Sequence, residues 1–279
     1  MHSPSADRPI GVFDSGVGGL SVLAALRAEL PQEHFVYFSD AGHGPYGERN
    51  EAFVIERSRA ITHRLIDTHG IKALVVACNT ATAAAIARLR EDWPQLPLIG
   101  VEPALKPAAA ATHTGQIGVL ATRGTLASAK FQALYERLAK RATFHLVACD
   151  GLADAIERGD AMQIDALAAS YLRALGPLGT DQGQIDTLVL GCTHYPFVIG
   201  TLRRHAGLNV RFIDTGAPVA LHTRHLLAAR AALRAEDRKS AEQSAKIDAH
   251  QGLLALEGSG ALDELHAAAL RWLTPPAPL

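Results

Sequence analysis

Two of the three cysteines in this 279-residue chain sit in matching surroundings. Cys78 lies in "VVACNTATA" and Cys192 in "VLGCTHYP": a β-branched or aliphatic run, the thiol, a threonine within two residues, then a helical pattern. That layout puts each sulfur at the end of a strand and near the start of a helix. A free thiol with pKa near about 8.5 is only a few per cent thiolate at neutral pH. A helix N-terminus contributes about 0.3–1 kcal/mol, at most about 2, whereas one pKa unit is about 1.36 kcal/mol. The helix alone therefore does not make a base of either sulfur. His194, two residues beyond Cys192, and Asp14, at the end of another strand, are the partners the sequence offers.

Two equivalent thiols suit one task better than others. A nucleophilic hydrolase needs one sulfur, one base and an oxyanion hole. Paired acid/base groups on opposite sides of a ligand suit removal of a proton from a carbon and its return to the other face, which inverts a stereocentre. Three readings stay open from the residues alone: that inversion, a single-cysteine hydrolase, and a carboxylate-binding module with inert thiols. Any one buried cysteine also reads as a small hydrophobe, the reading preferred for Cys149 in "LVACDG".

Two glycine-punctuated turns accompany the thiols. "VFDSGVGGLSV" leaves a strand at Asp14 and Ser15 and enters a helix by Gly19, at the end of a strand where open α/β sheets hold ligands. Its spacing fits neither G-x-G-x-x-G nor a P-loop; its bare helix N–H groups suit a carboxylate as well as a phosphate. A tight turn with Asp14 as a cap is the alternative. "HGPYGERN", from His43, reads as a loop over a cleft with Tyr46 in its wall, or as a plain surface turn.

The elements that must hold these groups alternate short apolar runs with helical patterns. Strands are expected at 9–13, 34–39, 73–77, 98–101, 116–121, 143–148, 187–191, 210–213 and 253–257. Helices are expected at 19–29, 50–68, 81–91, 128–139, 162–175, 197–206, 218–235 and 261–272. The fold class is α/β with largely parallel sheets. "IGVFDSGVGG" from Ile10 resembles "IGVLATRGTLAS" from Ile117, and each precedes a strand–Cys–Thr element by a similar interval. If this is a repeat rather than common βα idiom, two lobes face each other across a cleft, with chain crossings near 101–102 and 212–215. Residues 235–251 read as a polar linker.

Composition excludes several classes. The apolar fraction is 48% and the net charge is −1, with acids and bases interspersed, so no field attracts nucleic acid or anionic membranes. No apolar run reaches the roughly 18–20 residues of a membrane span and "MHSPSADRP" is no signal peptide, so a cytoplasmic location is expected. Three separated cysteines without C-x-x-C suggest neither disulfides nor a structural metal, and no cofactor motif or Schiff-base lysine stands out.

"FDSGVGGLSV", "GPYGERN", "VVACNTATA", "GVEPA" and "VLGCTHYP", in this order and spacing, resemble the glutamate racemases of the aspartate/glutamate racemase superfamily over essentially the whole chain. The resemblance implies two pseudo-symmetric α/β lobes, residues 1–100 with 214–279 and residues 101–213, with the active site between them. It implies cofactor-independent interconversion of L- and D-glutamate supplying peptidoglycan synthesis, with Cys78 acting on D-glutamate and Cys192 on L-glutamate. Asp14 would assist the first thiol and His194 the second, with Glu157 behind His194. Asp14, Ser15, Tyr46, Gly47, Asn79, Thr80, Thr122, Thr193 and His194 would bind substrate, and a homodimer is an open expectation; aspartate racemase is the nearest rival. Two departures stand out. "ACDGLADAIERG" lacks both prolines of the family's common "ACPLFVPLVEEG", which weakens the Glu157 correspondence, and Gly42-His43-Gly44 is expected to be more flexible.

Overall fold

In the computed structural model, which describes residues 6–235 and 252–273, nine strands form two wholly parallel sheets. The strands are β1 (Ile10–Asp14), β2 (Phe35–Ser39), β3 (Ala73–Val76), β4 (Leu98–Gly100), β5 (Gln116–Ala121), β6 (Thr143–Ala148), β7 (Thr187–Gly191), β8 (Arg211–Ile213) and β9 (Leu254–Gly258). One sheet runs β4-β3-β1-β2-β9 and the other β6-β5-β7-β8. Read from the opposite edge, the second is β8-β7-β5-β6, the order of the first without β9. The resemblance between Ile10 and Ile117 is therefore one of position, since β1 and β5 are equivalent interior strands.

The sequence of each interior strand reflects burial on both faces. All five residues of β1 are buried, and so are all five of β7. Alternation divides them between faces: Ile10 and Val12 join the helices Leu20–Glu29 and Gly216–Ala229, while Phe13 joins Val54 and Ile61 of Glu51–His69 and Ala81 and Ala85 of Asn79–Asp92. In β7, Leu188 and Leu190 pack with Leu172 of Ala161–Leu175, and Val189 packs with Phe131 and Leu138 of Ala129–Leu138. Cutting one such fully buried leucine to alanine costs about 2–5 kcal/mol. Edge strand β6 is only partly buried.

Several element boundaries differ from the expected ones. The helix after Cys78 starts at Asn79 rather than 81, because the cysteine itself caps it. Tyr195–Val198 is a 3-10 turn, with Pro196 near its start, before the helix Ile199–Ala206. The helix expected at 218–235 spans Gly216–Ala229 and ends before Ala231, which has φ of 50°. Short helices at Leu105–Ala111, Arg123–Ala127 and Leu152–Arg158 add to those expected. The proposed linker falls, from residue 236, outside the described residues.

Candidate active site

The carboxyl ends of the interior strands of both sheets open onto one cavity of about 230 Å³. Asp14 ends β1, and the chain then turns through Gly16-Val17-Gly18-Gly19 into the helix Leu20–Glu29. The glycines there serve close approach. A Cβ on Gly16 would strike the Glu157 carboxylate, one on Gly18 the His194 ring and Thr193, and one on Gly19 would lie 2.7 Å from the Asp14 Cβ. Backbone from one sheet can thus lie directly on side chains from the other.

Cys78 follows β3 and caps the next helix, its Sγ accepting the Ala81 N–H at 3.4 Å. No direct hydrogen bond joins it to Asp14. Between them stands Ser15, whose Oγ is 3.6 Å from Cys78 Sγ and donates to Asp14 Oδ1 at 3.0 Å. Burial, with the nearby Asp14 charge, pushes the Cys78 thiol up to about 12, outweighing the Ala81 N–H and Ser15. Burial also raises Asp14, against His194, Thr193 and Ser15, which favour its charged form.

Cys192 follows β7, and its Sγ lies 3.6 Å from His194 Nδ1. The far ring nitrogen, Nε2, is 2.7 Å from Glu157 Oε1, which also accepts the Val17 N–H at 3.1 Å. Burial lowers His194, but the hydrogen bonds to Cys192 and Glu157 and their charges win, leaving it well above the ordinary imidazole range. Burial likewise raises Glu157, yet the bond and charge of His194 hold it below the usual carboxylate value. The pair is therefore imidazolium and carboxylate, with both ring nitrogens donating. Despite its missing prolines, the 148–159 segment forms a helix, Leu152–Arg158, that delivers Glu157 to this position.

The remaining residues singled out in the sequence also line the cavity: Tyr46, Gly47, Asn79, Thr80, Thr122 and Thr193. Asn79 is buried and both atoms of its side-chain amide lack a partner. Buried polar atoms are rarely left so, and an amide donor and acceptor facing a cavity are ready for a polar ligand. Thr80 and Thr122, on opposite sheets, approach within 3.3 Å.

Other contributors have no signature in the sequence. Tyr46 is fixed by buried Asp40, which takes its hydroxyl at 2.5 Å and a two-pronged contact from Arg57 at 2.8 and 3.0 Å. His43 Nδ1 is 3.0 Å from Asp40 and 3.3 Å from Ser259, and Ser259 accepts the Gly42 N–H, so the segment expected to be flexible is a bonded 3-10 turn, Ala41–His43. Cys149 lines the cavity too, with its thiol turned to the Val147 carbonyl at 3.6 Å and raised by burial. Arg123 and Asp150 pair at the cavity wall. No helix among the described residues is long and apolar enough to cross a membrane.

Known proteins share this architecture. The Asp/Glu/hydantoin racemase family model matches residues 19–224. The glutamate racemase of Stutzerimonas stutzeri is 49% identical over 231 residues, 82% of this chain and 85% of that protein. A glutamate racemase of Bacillus anthracis superposes with a TM-score of 0.80 at 31% identity, covering 98% of this chain and 95% of its own. Escherichia coli glutamate racemase, in complex with L-glutamate and an activator, gives 0.76 at 35% identity over 95% of each chain. Agreement in both sequence and fold over most of its length means that the chain belongs to the Asp/Glu/hydantoin racemase family.

Proposed function

We propose that this protein interconverts L- and D-glutamate by two-base proton transfer between Cys78 and Cys192, without a cofactor, and supplies D-glutamate for peptidoglycan synthesis. The observation that carries the reading is the placing of two buried thiols after equivalent strands of two sheets, in the wall of one cavity. The substrate assignment follows the relatives, which are glutamate racemases. Residues 1–100 with 214–279 form one lobe of this reading and residues 101–213 the other.

Substrate lies with its α-carbon between the sulfurs. Asn79, Ser15 and the threonines hold its polar groups, Asn79 satisfying its open amide on a carboxylate. Cys192 takes the α-proton of L-glutamate while Cys78 delivers its own proton to the opposite face, giving D-glutamate; the reverse uses the same groups with their protons exchanged. To reset, the proton taken by Cys192 returns to solvent and Cys78 regains one through Ser15 and Asp14; His194, already an imidazolium, donates to Cys192 rather than accepting from it. A thiol at about 12 costs about 7 kcal/mol to ionise at neutral pH. A helix end offsets at most about 2 kcal/mol of that. Cys78 therefore rests as a proton donor, and the substrate ammonium must supply much of the field that lets it act as a base. Preset N–H and hydroxyl donors stabilise charge that grows on the α-carboxylate as the proton leaves.

The test is turnover of each glutamate enantiomer in deuterated water by Cys78→Ser and Cys192→Ser, with a panel of other amino acids for the wild type. Each substitution is expected to slow racemisation by about 100- to 10,000-fold, the usual worth of a positioned acid or base. Full racemisation by either variant overturns the two-thiol scheme, and preference for aspartate overturns the substrate.

A further inference from the structure

The cavity wall is rich in carboxylates for a site that takes an acidic amino acid. Asp14, Glu48, Asp150, Asp154 and Glu157 all line it, and Arg123 is its sole Arg or Lys among the described residues. A dicarboxylate approaching such a mouth meets like charge, which slows capture and weakens binding. His194 is committed to Glu157 inside the cavity. Among the described residues lining the cavity, Arg123 is the cation placed at its mouth to offset the field.

Its setting suits exchange. The Arg123 guanidinium pairs with the Asp150 carboxylate, and both side chains are open to solvent, at 70% and 53% exposure. An exposed pair of this kind is weak, so its partner can be replaced at little cost. The backbone on each side is fixed instead: Tyr171 donates its hydroxyl to the Asp150 carbonyl at 2.5 Å, and Arg123 follows Thr122 at the end of β5. Gly124, next in the chain, packs so near the Tyr46-Gly47 turn that a Cβ there would lie 3.3 Å from the Gly47 carbonyl. The backbone carrying Arg123 is thus fixed at the rim where the two sheets' loops meet, with the guanidinium itself open to solvent. Its planar fork fits a carboxylate with two parallel hydrogen bonds.

We propose that Arg123 captures the side-chain carboxylate of the incoming amino acid, leaving Asp150 to do so, and thereby sets the preference for acidic substrates. The inference rests on glutamate being the substrate. Asp150 is then a placeholder that keeps the guanidinium at the rim between turnovers.

The experiment measures kcat and KM of the full chain for both enantiomers in Arg123→Gln, Arg123→Lys and Asp150→Asn, at low and high salt. Arg123→Gln is expected to raise KM about tenfold with a smaller change in kcat and, with only like charge left at the mouth, to make kcat/KM rise more steeply with salt than in the wild type. Arg123→Lys, which keeps charge but loses the fork, is expected to raise KM about threefold. Asp150→Asn frees the guanidinium and is expected to lower KM. A KM within about twofold of wild type in Arg123→Gln, or a rise in Asp150→Asn matching that of Arg123→Gln, overturns the proposal, the second result marking the pair as a strap between loops. Wild-type protein that neither turns over glutamate nor is protected by it from thiol alkylation overturns the substrate reading and this one with it; turnover with a KM indifferent to Arg123 overturns this one alone.

Discussion

Thr193 Oγ1 donates a hydrogen bond of 2.8 Å to Asp14 Oδ2, tying the residue beside one thiol to the acid behind the other. Asp14 Oδ1 has Ser15 and the Gly16 N–H, whereas among the described residues Thr193 is the one hydrogen-bond donor to Oδ2. Replacing Thr193 with valine leaves a buried carboxylate oxygen without that donor, at about 1–3 kcal/mol of stability. The donor favours the charged carboxylate, so its loss raises Asp14 further. The acid limb of the kcat/KM profile is therefore expected to move to higher pH, with a rate loss of about tenfold at neutral pH. A pH profile of the variant that overlays the wild type would contradict this.

The His194–Glu157 pair gives a stability signal with a defined pH window. His194 titrates above its ordinary 6.5 in the folded protein, so its contribution is complete below that value and is lost as pH rises through the folded pKa. Glu157 titrates below its ordinary 4.5, so its contribution is present above that value and is lost as pH falls through the folded pKa. Both are in force between 4.5 and 6.5. The denaturant midpoint of Glu157→Gln is expected to trail the wild type most in that window, with the gap closing in strong base. Without the carboxylate His194 falls, so the basic limb of the rate profile moves to lower pH. A gap that does not vary with pH would show that the pair is not charged.

Asp40 holds the Tyr46 turn through the phenol while Arg57 neutralises it from behind. Arg57 is 24% exposed, so losing its pair with buried Asp40 costs about 1.5–3 kcal/mol, the worth of a charged hydrogen bond, and Asp40→Asn also loosens the turn that walls the cavity. The expected result is a lower urea midpoint together with a KM raised about tenfold, since a mispositioned wall weakens binding first. Tyr46→Phe removes the phenol but leaves the Arg57 pair, and is expected to show the KM effect with a smaller stability loss. Equal stability losses in the two variants would place the tyrosine at the centre of the network instead.

How much of this was legible beforehand depends on where the partners lie in the chain. The seams at Cys78 and Cys192, the turn after Asp14 and the nine strands are local patterns, and the sequence carries them in its spacing. His194 is visible because it stands two residues from a thiol. Asp40–Arg57 and Arg123–Asp150 are pairings across 17 and 27 residues, made by the packing of one element on another, and no local pattern marks them. The helix Leu105–Ala111, which is not among the expected ones, carries Pro107 in its first turn, where a missing N–H has no partner to lose. Cys149, in a sequence setting unlike that of the other two cysteines, reads as a small hydrophobe, yet β6 delivers it to the same cavity.

The repeated strand order makes the two thiols equivalent in position, but their surroundings are not copies. Where β1 ends in Asp14 its counterpart β5 ends in Ala121, and His194 has no twin beside Cys78. Mirror-image substrates have equal free energy in water, so at equilibrium neither form is favoured. An enzyme that only interconverts them is bound by that equality, and its kcat/KM for the two must be the same however unlike its halves. The unlike halves can therefore act only on how each kcat/KM is divided between kcat and KM, that is, on which enantiomer occupies the protein longer. Any net flow toward one form must come from the reaction that consumes it.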